Sequence, residues 1–343
     1  MPRARGFVLG VLASMTLSAR AEPTGYLPSL ADAVRARLAE AAAAHVTAPV
    51  PPTPIAVKWR PVKLGSLDLG APLVALTAAD LDGDGRAELY AVTSREVIAI
   101  GLTPGNKLRE LGRVAFTGEP AVPAPRDVVG TAVVDGAAVI AGVSAWARDL
   151  KVEWRGKALS AHHGAGGLRL CGEKLPLAAG RNHFRDGAAA VFGARCREDL
   201  LDPAGLPLKL RAELGVSNVL EVQVAHCAAS GACQPAQTYQ VKDAGVAFEL
   251  ADVDRDGIPE AIVSSASAPG DADAVRVIPL APTSTSTSAA AAAAASLRPS
   301  YKKTFNGGVA GLAVADLDGD GAPEVIALVR LAGATRVDVW RLD

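Results

Sequence analysis

The sequence predicts an all-β protein, a β-propeller of about five and at most seven blades, preceded by a short N-terminal helix. Three observations lead to this fold. An acidic phrase occurs three times, as DLDGDGRAE at 80–88, DVDRDGIPE at 252–260 and DLDGDGAPE at 316–324. Each copy lies between two short apolar runs of strand length. Less complete copies of the same template occur between the first and second phrases, which indicates a repeated structural unit.

The first 21 residues have the pattern of a secretory signal. Arg3 and Arg5 precede an apolar stretch at 6–19, and Ala19-Arg20-Ala21 forms a small-x-small cleavage site. The apolar stretch is shorter than the roughly 20 residues that a membrane-spanning helix needs. We therefore expect cleavage near Ala21, a secreted or periplasmic location, and no membrane span in the mature chain.

Residues 22–54 are predicted to form a helix and a spacer. Within 28–46, Leu30, Val34 and Leu38 recur at the spacing of one helix face. The proline-rich stretch TAPVPPTP at 47–54 then predicts an extended, semi-rigid linker. From residue 55 the sequence changes to short β-rich runs, so we expect the propeller to span 55–343.

Asp-Gly dipeptides mark the predicted repeat units. Each dipeptide stands before an apolar, strand-like run, and the Asp positions are 84, 135, 186, 256 and 320. Units of this length that hold several strands suit the blades of a propeller. Residues 55–84 and 320–343 together supply about one further unit, so N-terminal strands are expected to complete the last blade. The Ser/Thr- and Ala-rich segment at 281–297 is interpreted as an insertion between strands.

The chain has four cysteines, and an even number in an exported chain favours disulfides. Cys227 and Cys233 flank the small-residue stretch AASGA and are the expected pair, which leaves Cys171 to bond with Cys196. The alternative is a zinc site that combines cysteines with His226, His162 or His163. Neither CxxC nor HExxH occurs, so disulfides are preferred.

The spacing of the acidic phrase DxDxDGxxE suits a cation. Carboxylates at positions 1, 3, 5 and 9 of a tight loop can converge on one point, and Gly at position 6 permits the left-handed backbone of the turn. The carbonyl of position 7, at Arg86, Ile258 or Ala322, can also face inward. Hard oxygen donors in this number favour Ca²⁺ over Mg²⁺. Without a cation the clustered carboxylates would repel one another.

An EF-hand shares positions 1, 3, 5 and 6 of this pattern, but it needs a bidentate acid at position 12 and flanking helices. Position 12 is Ala91, Val263 or Ala327 here, and the flanks have strand patterns. An EF-hand and a dockerin-type helical pair are therefore rejected.

The stretches AADLDGDGRAELYAV, LADVDRDGIPEAIV and VADLDGDGAPEVIAL resemble FG-GAP/VCBS repeats, the units of propellers of the integrin α-subunit type. This resemblance implies Ca²⁺ between two strands of a blade. It also implies a set of carboxylate ligands: Asp80, Asp82, Asp84 and Glu88; Asp252, Asp254, Asp256 and Glu260; Asp316, Asp318, Asp320 and Glu324.

Two features depart from the family pattern. Integrin loops usually have Asp at position 9, where this chain has Glu, and integrins have seven blades, where five units are visible here. The two incomplete copies lack acids at the matching positions, so we expect no metal there. Those positions are Thr131, Val133 and Val139 in one copy and Asn182, Phe184 and Ala190 in the other.

Composition and the absence of known motifs argue against two classes of function, nucleic-acid binding and catalysis. The net charge is −1 and no basic stripe occurs, which argues against nucleic-acid binding. GxSxG, P-loop and GxGxxG motifs are absent, and His163 in HHGAGG has no second catalytic group at a telling spacing. We expect a binding or scaffold module for a protein or glycan partner and not an enzyme. A polysaccharide lyase or dehydratase and a purely structural envelope protein are the alternatives.

Overall fold

The computed structural model of the protein describes residues 33–34, 37, 50–116, 130–143, 148–156, 158–164, 168–175, 194–215, 217–268, 271–281, 297–331 and 335–343. The chain divides into two compact units, Met1–Ala48 and Pro49–Asp343. In the first unit Ala33, Val34 and Arg37 are helical. The predicted signal, most of the predicted helix, the repeat around position 186 and most of segment 281–297 lie outside the described residues. No helix in the described ranges is long and apolar enough to cross a membrane.

The second unit is built from β-strands. In chain order these are β1 (Pro61–Asp68), β2 (Leu73–Ala79), β3 (Glu88–Thr93), β4 (Glu96–Leu102), β5 (Leu108–Ala115), β6 (Gly130–Asp135), β7 (Ala138–Val143), β8 (Leu150–Arg155), β9 (Ala158–His163), β10 (Leu168–Leu170), β11 (Glu173–Leu175), β12 (Arg195–Arg197), β13 (Leu208–Leu214), β14 (Leu220–His226), β15 (Gln237–Val241), β16 (Ala244–Ala251), β17 (Glu260–Ser265), β18 (Asp273–Pro279), β19 (Tyr301–Phe305), β20 (Val309–Ala315), β21 (Glu324–Arg330) and β22 (Arg336–Leu342).

The strands form five four-stranded antiparallel sheets, which are the blades of a five-bladed propeller. Blade 1 is β2–β5, blade 2 is β6–β9, blade 3 is β12–β15 and blade 4 is β16–β19. Blade 5 has the order β1-β22-β21-β20. Strands β10 and β11 make a separate hairpin that contacts β7 of blade 2. The sequence-based prediction of an all-β propeller is confirmed.

The N-terminal strand β1 closes the ring. It pairs with β22 from Pro61 opposite Leu342 to Asp68 opposite Arg336, and so becomes the outer strand of the last blade. At the centre of the ring, β2 contacts both β20 and β6, and β16 contacts both β20 and β12. The prediction that N-terminal strands complete the final blade is therefore confirmed.

Apolar side chains pack between neighbouring blades from blade 3 through blades 4, 5 and 1 to blade 2. Strand β3 illustrates the pattern, because side chains alternate between the two faces of a strand. Leu89 and Ala91 lie in a cluster shared with blade 5, whereas Tyr90 and Val92 lie in a cluster shared with blade 2. Similar clusters fill the contacts between blades 3 and 4 and between blades 4 and 5. A strand that is buried on both faces has a continuous run of apolar residues, and such a run follows each acidic phrase in the sequence.

Two disulfides join the predicted cysteine pairs. Cys171, in the turn between β10 and β11, bonds to Cys196 of β12. Cys227 and Cys233 close the connection between β14 and β15. No cysteine is free, so the prediction of two disulfides is confirmed and a cysteine-containing zinc site is not supported.

Candidate metal centres

The three acidic phrases form the connections between the first two strands of blades 1, 4 and 5, in that order. Loop 1 (80–88) joins β2 to β3, loop 2 (252–260) joins β16 to β17, and loop 3 (316–324) joins β20 to β21. The last residue of each loop is the Glu that begins the second strand. Each loop is therefore anchored at both ends by a buried strand, which fixes where its acidic side chains lie.

The first Asp of each loop organises the turn. Asp80 accepts hydrogen bonds from the amides of Gly83 at 2.7 Å and Gly85 at 3.0 Å. Asp316 accepts the equivalent bonds in loop 3, both at 2.7 Å. In loop 2 the carboxylate of Asp252 accepts one bond, from Gly257 at 3.0 Å. These hydrogen bonds from later backbone amides to the side chain stabilise the tight turn of each loop.

Glycine at position 6 has the left-handed backbone that the sequence predicts. The φ angles are 89° at Gly85, 83° at Gly257 and 87° at Gly321. Position 4 is also left-handed in all three loops, although in loop 2 it is Arg255, with φ of 55°. A left-handed arginine is unusual, because only glycine, and sometimes Asn or Asp, adopts this region readily.

Eleven of the twelve predicted carboxylates converge within their loops, and Asp256 is the exception. In loops 1 and 3 every predicted carboxylate offers one oxygen, and those four oxygens lie within 4.8 Å of one another: Asp80, Asp82, Asp84 and Glu88, and Asp316, Asp318, Asp320 and Glu324. Loop 2 brings together Asp252, Asp254 and Glu260. Asp256 is not a member of that group, and its Oδ1 accepts the amide of Ile258 at 2.7 Å.

The position-7 residues donate their amides to position 5 in the other two loops as well. Arg86 bonds Asp84 at 2.9 Å, and Ala322 bonds Asp320 at 2.8 Å. These bonds orient the peptide before position 7. A ligand role for the carbonyls of Arg86, Ile258 and Ala322 stays a prediction.

The glutamates at position 9 are the most buried acids of the clusters. Glu88, Glu260 and Glu324 are 3%, 4% and 3% exposed. Burial, followed by repulsion from neighbouring aspartates, raises their pKa values to about 7, about 8 and about 8, even though backbone amides donate to them. Burial likewise raises the pKa of Asp252 to about 6. Such shifts indicate carboxylates whose negative charge is poorly compensated by the protein itself.

One carboxylate oxygen of the three clusters is buried without a hydrogen-bond partner in the described part of the chain. Oδ1 of Asp252 is buried and makes no hydrogen bond, whereas its Oδ2 accepts the amide of Gly257. An unsatisfied buried acceptor is unfavourable, and a cation is one partner that would satisfy it. The donor set, which is made of hard carboxylate oxygens, fits Ca²⁺ or Mg²⁺ rather than a thiophilic metal.

Contacts link the three loops in the order loop 2, loop 3, loop 1. The Arg255 guanidinium of loop 2 donates to the carbonyl oxygen of Gly321 in loop 3. The amide of Ala87 in loop 1 donates to the carbonyl of Asp316 in loop 3 at 2.8 Å. The three loops therefore lie next to one another over blades 4, 5 and 1, with loop 3 in the middle.

Sequence reasoning missed three side chains around these clusters. The hydroxyl of Tyr90 donates to Glu88 Oε2 at 2.9 Å, and the Arg341 guanidinium lies 2.5 Å from Asp318 Oδ2. Arg255 is the third, through its contact with loop 3. Only Arg255 left a signal in the sequence, because it replaces the glycine that the other two phrases have at position 4.

The described incomplete repeat has a different turn. Asp135 pairs with Ala138 across β6 and β7, which leaves a two-residue connection with Gly136 at φ of 59°. Thr131 and Val139 lie in these strands and are fully buried. The three groups above are the acidic clusters found in the described ranges, and none includes this turn. The other incomplete repeat, with Asn182, Phe184 and Ala190, lies outside those ranges.

Comparisons with known proteins add little to this picture. No family model matches the chain, and no curated protein matches it. Among solved structures, the chain is similar to the crystal structure of S. cerevisiae core factor, with 10% sequence identity and a TM-score of 0.29. That match covers 80% of this chain and 48% of the other, so the chain spans about half the length of that protein. A similarity this weak supports no conclusion about function.

Proposed function

We propose that the protein is an exported, calcium-stabilised β-propeller that acts as a binding or scaffold module for a protein or glycan partner. The observation that carries the proposal is the convergence of carboxylates in three loops at the same position of blades 1, 4 and 5. A single acidic turn on a surface is common, whereas three equivalent turns on one scaffold indicate a shared requirement for a cation.

The residues that would hold the ion are the clustered carboxylates. Ca²⁺ takes six to eight oxygen ligands in flexible geometry, and loops 1 and 3 each gather four carboxylates, with backbone carbonyls and water available for the remainder. Mg²⁺ demands stricter octahedral geometry and keeps more of its own water. When bound, the ion would offset the burial and the repulsion between carboxylates, which together raise the pKa values of the three glutamates.

Ion binding would stabilise the blades on which the loops lie. Each loop connects the innermost strand of a blade to its neighbour, so an ion there would tie two core strands together. Only the folded chain gathers the carboxylates, and a ligand that binds only the folded state raises the free energy of unfolding. The resemblance of the three phrases to FG-GAP/VCBS repeats supports membership of that family as part of the proposal.

The disulfides and the ring of loops support export and partner binding. The two disulfides support an oxidising compartment, as the N-terminal sequence pattern does. A propeller presents loops on two faces of a rigid ring, which is a suitable scaffold for recognition of another molecule. The proposal contains no catalytic step, and the absence of enzyme activity stays a prediction.

Equilibrium dialysis of the ion-free protein against Ca²⁺, and separately against Mg²⁺, tests the metal part of the proposal. We expect Ca²⁺ to bind more tightly than Mg²⁺, and the variant Asp80→Asn/Asp252→Asn/Asp316→Asn to lose most of this binding. Equal binding by the native chain and this variant would contradict the assignment. Glycan and protein arrays probed with the Ca²⁺-loaded chain test the binding role, and the ion-free chain is the control.

A further inference from the structure

Arg341 distinguishes loop 3 from the other two loops. Its Nη1 lies 2.5 Å from Asp318 Oδ2 and 3.6 Å from Glu324 Oε1, so the guanidinium faces two of the four clustered carboxylates. Its Nη2 lies 2.9 Å from Asp343 Oδ2. The side chain of Arg341 is only 13% exposed, so salt and water screen these charges weakly.

The corresponding positions of blades 1 and 4 carry no charge. Arg341 stands in β22, directly opposite the residue two positions after the last Glu of loop 3. The same register places Ala99 in blade 1 and Val277 in blade 4, and both are fully buried. Among the three loops, a charged side chain at this register position is therefore specific to loop 3, whereas loop 2 differs by gathering three carboxylates rather than four.

We propose that loop 3 is the weakest of the three cation sites, because the Arg341 guanidinium competes with the ion for Asp318 and Glu324. This inference rests on the proposed function, since it assumes that the loops bind divalent ions. A cation entering loop 3 must displace the guanidinium or bind beside it, and both alternatives are electrostatically unfavourable at low exposure. We expect the affinity of loop 3 for Ca²⁺ to be lower by about tenfold or more.

The lower affinity of loop 3 would make the three sites fill in two stages. Loop 3 lies between the other two loops and contacts both, through Ala87 of loop 1 and Arg255 of loop 2. Loops 1 and 2 would be filled at low Ca²⁺ concentration and act as permanent ties. Loop 3 would fill only at higher concentration, so its occupancy would respond to the Ca²⁺ concentration in the surrounding solution.

Calorimetric titration of the ion-free protein with Ca²⁺ tests the inference. We expect two tight sites and one weak site in the native chain. Arg341→Val gives blade 5 the residue of blade 4, and we expect three tight sites, with the weak site tightened about tenfold. Arg341→Gln keeps a long polar side chain and removes the charge, so it should act in the same direction if the valine variant does not fold. Arg276→Val is the control, because Arg276 of β18 donates to the carbonyls of Lys242 and Asp243 and not to a loop carboxylate.

The possible results of this titration distinguish failure of the inference from failure of the proposed function. Three equal sites in the native chain would overturn the inference and leave the proposed function intact. A folded Arg341→Val or Arg341→Gln variant whose third site is as weak as in the native chain would also overturn it. Absence of Ca²⁺ binding by the native chain would overturn the proposed function, and with it the inference.

Discussion

The indole nitrogen Nε1 of Trp154 donates a hydrogen bond to the hydroxyl of Tyr90 at 2.8 Å. Trp154 lies in β8 of blade 2 and Tyr90 in β3 of blade 1, so the bond crosses the contact between two blades. The same hydroxyl donates to Glu88 Oε2, which belongs to the carboxylate cluster of loop 1. Two consecutive hydrogen bonds, one buried and one partly buried, therefore join a candidate metal ligand to the neighbouring blade.

Replacement of Tyr90 by Phe should break both hydrogen bonds. It removes the acceptor of Trp154 and a donor to Glu88, and buried groups that lose a partner destabilise a fold by about 1–3 kcal/mol. We expect a loss of that size in the free energy of unfolding, measured by urea denaturation. Tyr239→Phe is the matched control, because within the described ranges the hydroxyl of Tyr239 makes no hydrogen bond. Equal losses in the two variants would show that these hydrogen bonds have no energetic role.

Glycine at position 6 should tolerate alanine differently in loops 1 and 2. Gly85 and Gly257 share a left-handed backbone, which disfavours alanine by about 1–2 kcal/mol in both. A Cβ at position 85 would meet open space, whereas one at position 257 would lie 2.4 Å from the nitrogen of Pro203. Because backbone must then move, Gly257→Ala should lower the free energy of unfolding by about 1–3 kcal/mol more than Gly85→Ala does. Equal urea midpoints would contradict the packing of loop 2 against residues 202–203.

The stability of the ion-free protein should fall as the pH rises. Glu88, Glu260 and Glu324 have pKa values of about 7, about 8 and about 8 in the folded chain, above the ordinary value of 4.5. The folded chain thus holds these protons more tightly than the unfolded chain does. Their contribution is fully present below about pH 4.5 and is lost as the pH passes through 7 to 8.

Bound Ca²⁺ would take the place of these protons, so the gap between the thermal midpoints with and without Ca²⁺ should be wider at pH 8.5 than at pH 5. Thermal unfolding at both pH values checks this expectation. In Glu324→Gln, which has one titrating group fewer, the pH dependence of the ion-free midpoint should be weaker. A gap of the same size at both pH values would contradict the role of the glutamates.

The two disulfides should contribute unequally. Cys171 and Cys196 are 25 positions apart, whereas Cys227 and Cys233 are 6 positions apart. A longer closed loop restricts the unfolded chain more, so we expect losses of about 3–4 kcal/mol for Cys171→Ala/Cys196→Ala and about 2 kcal/mol for Cys227→Ala/Cys233→Ala. Guanidinium unfolding of both double variants provides the comparison. The reverse order would show that strain or structure in the unfolded chain outweighs loop length.

Much of the fold follows from local patterns. The apolar runs after each acidic phrase are strands buried on both faces, and a tight acidic connection precedes β3, β17 and β21, as the repeats predict. Ring closure could be predicted because the last blade lacks a strand that the N-terminal region can supply. The cysteine pairs followed from spacing and elimination.

The features that the sequence did not reveal depend on contacts between distant residues. Tyr90 and Trp154 are 64 positions apart, and their bond requires the face of β3 that meets blade 2. Arg341 reaches Asp318 because β22 lies beside β21 in a particular register, which spacing alone does not determine. Alignment of Arg341 with Ala99 and Val277 would have exposed the difference, but it requires knowledge of which residues stand opposite one another.

Thermal unfolding in excess Ca²⁺ and in EDTA is the most direct test of whether divalent ions in the loops hold the blades together. At free Ca²⁺ 100-fold above the dissociation constant, one site adds about 2.7 kcal/mol to the free energy of unfolding. We therefore predict a midpoint several degrees higher in Ca²⁺ than in EDTA, and no such difference for Asp80→Asn/Asp252→Asn/Asp316→Asn. Identical midpoints of the native chain in Ca²⁺ and EDTA would contradict the account.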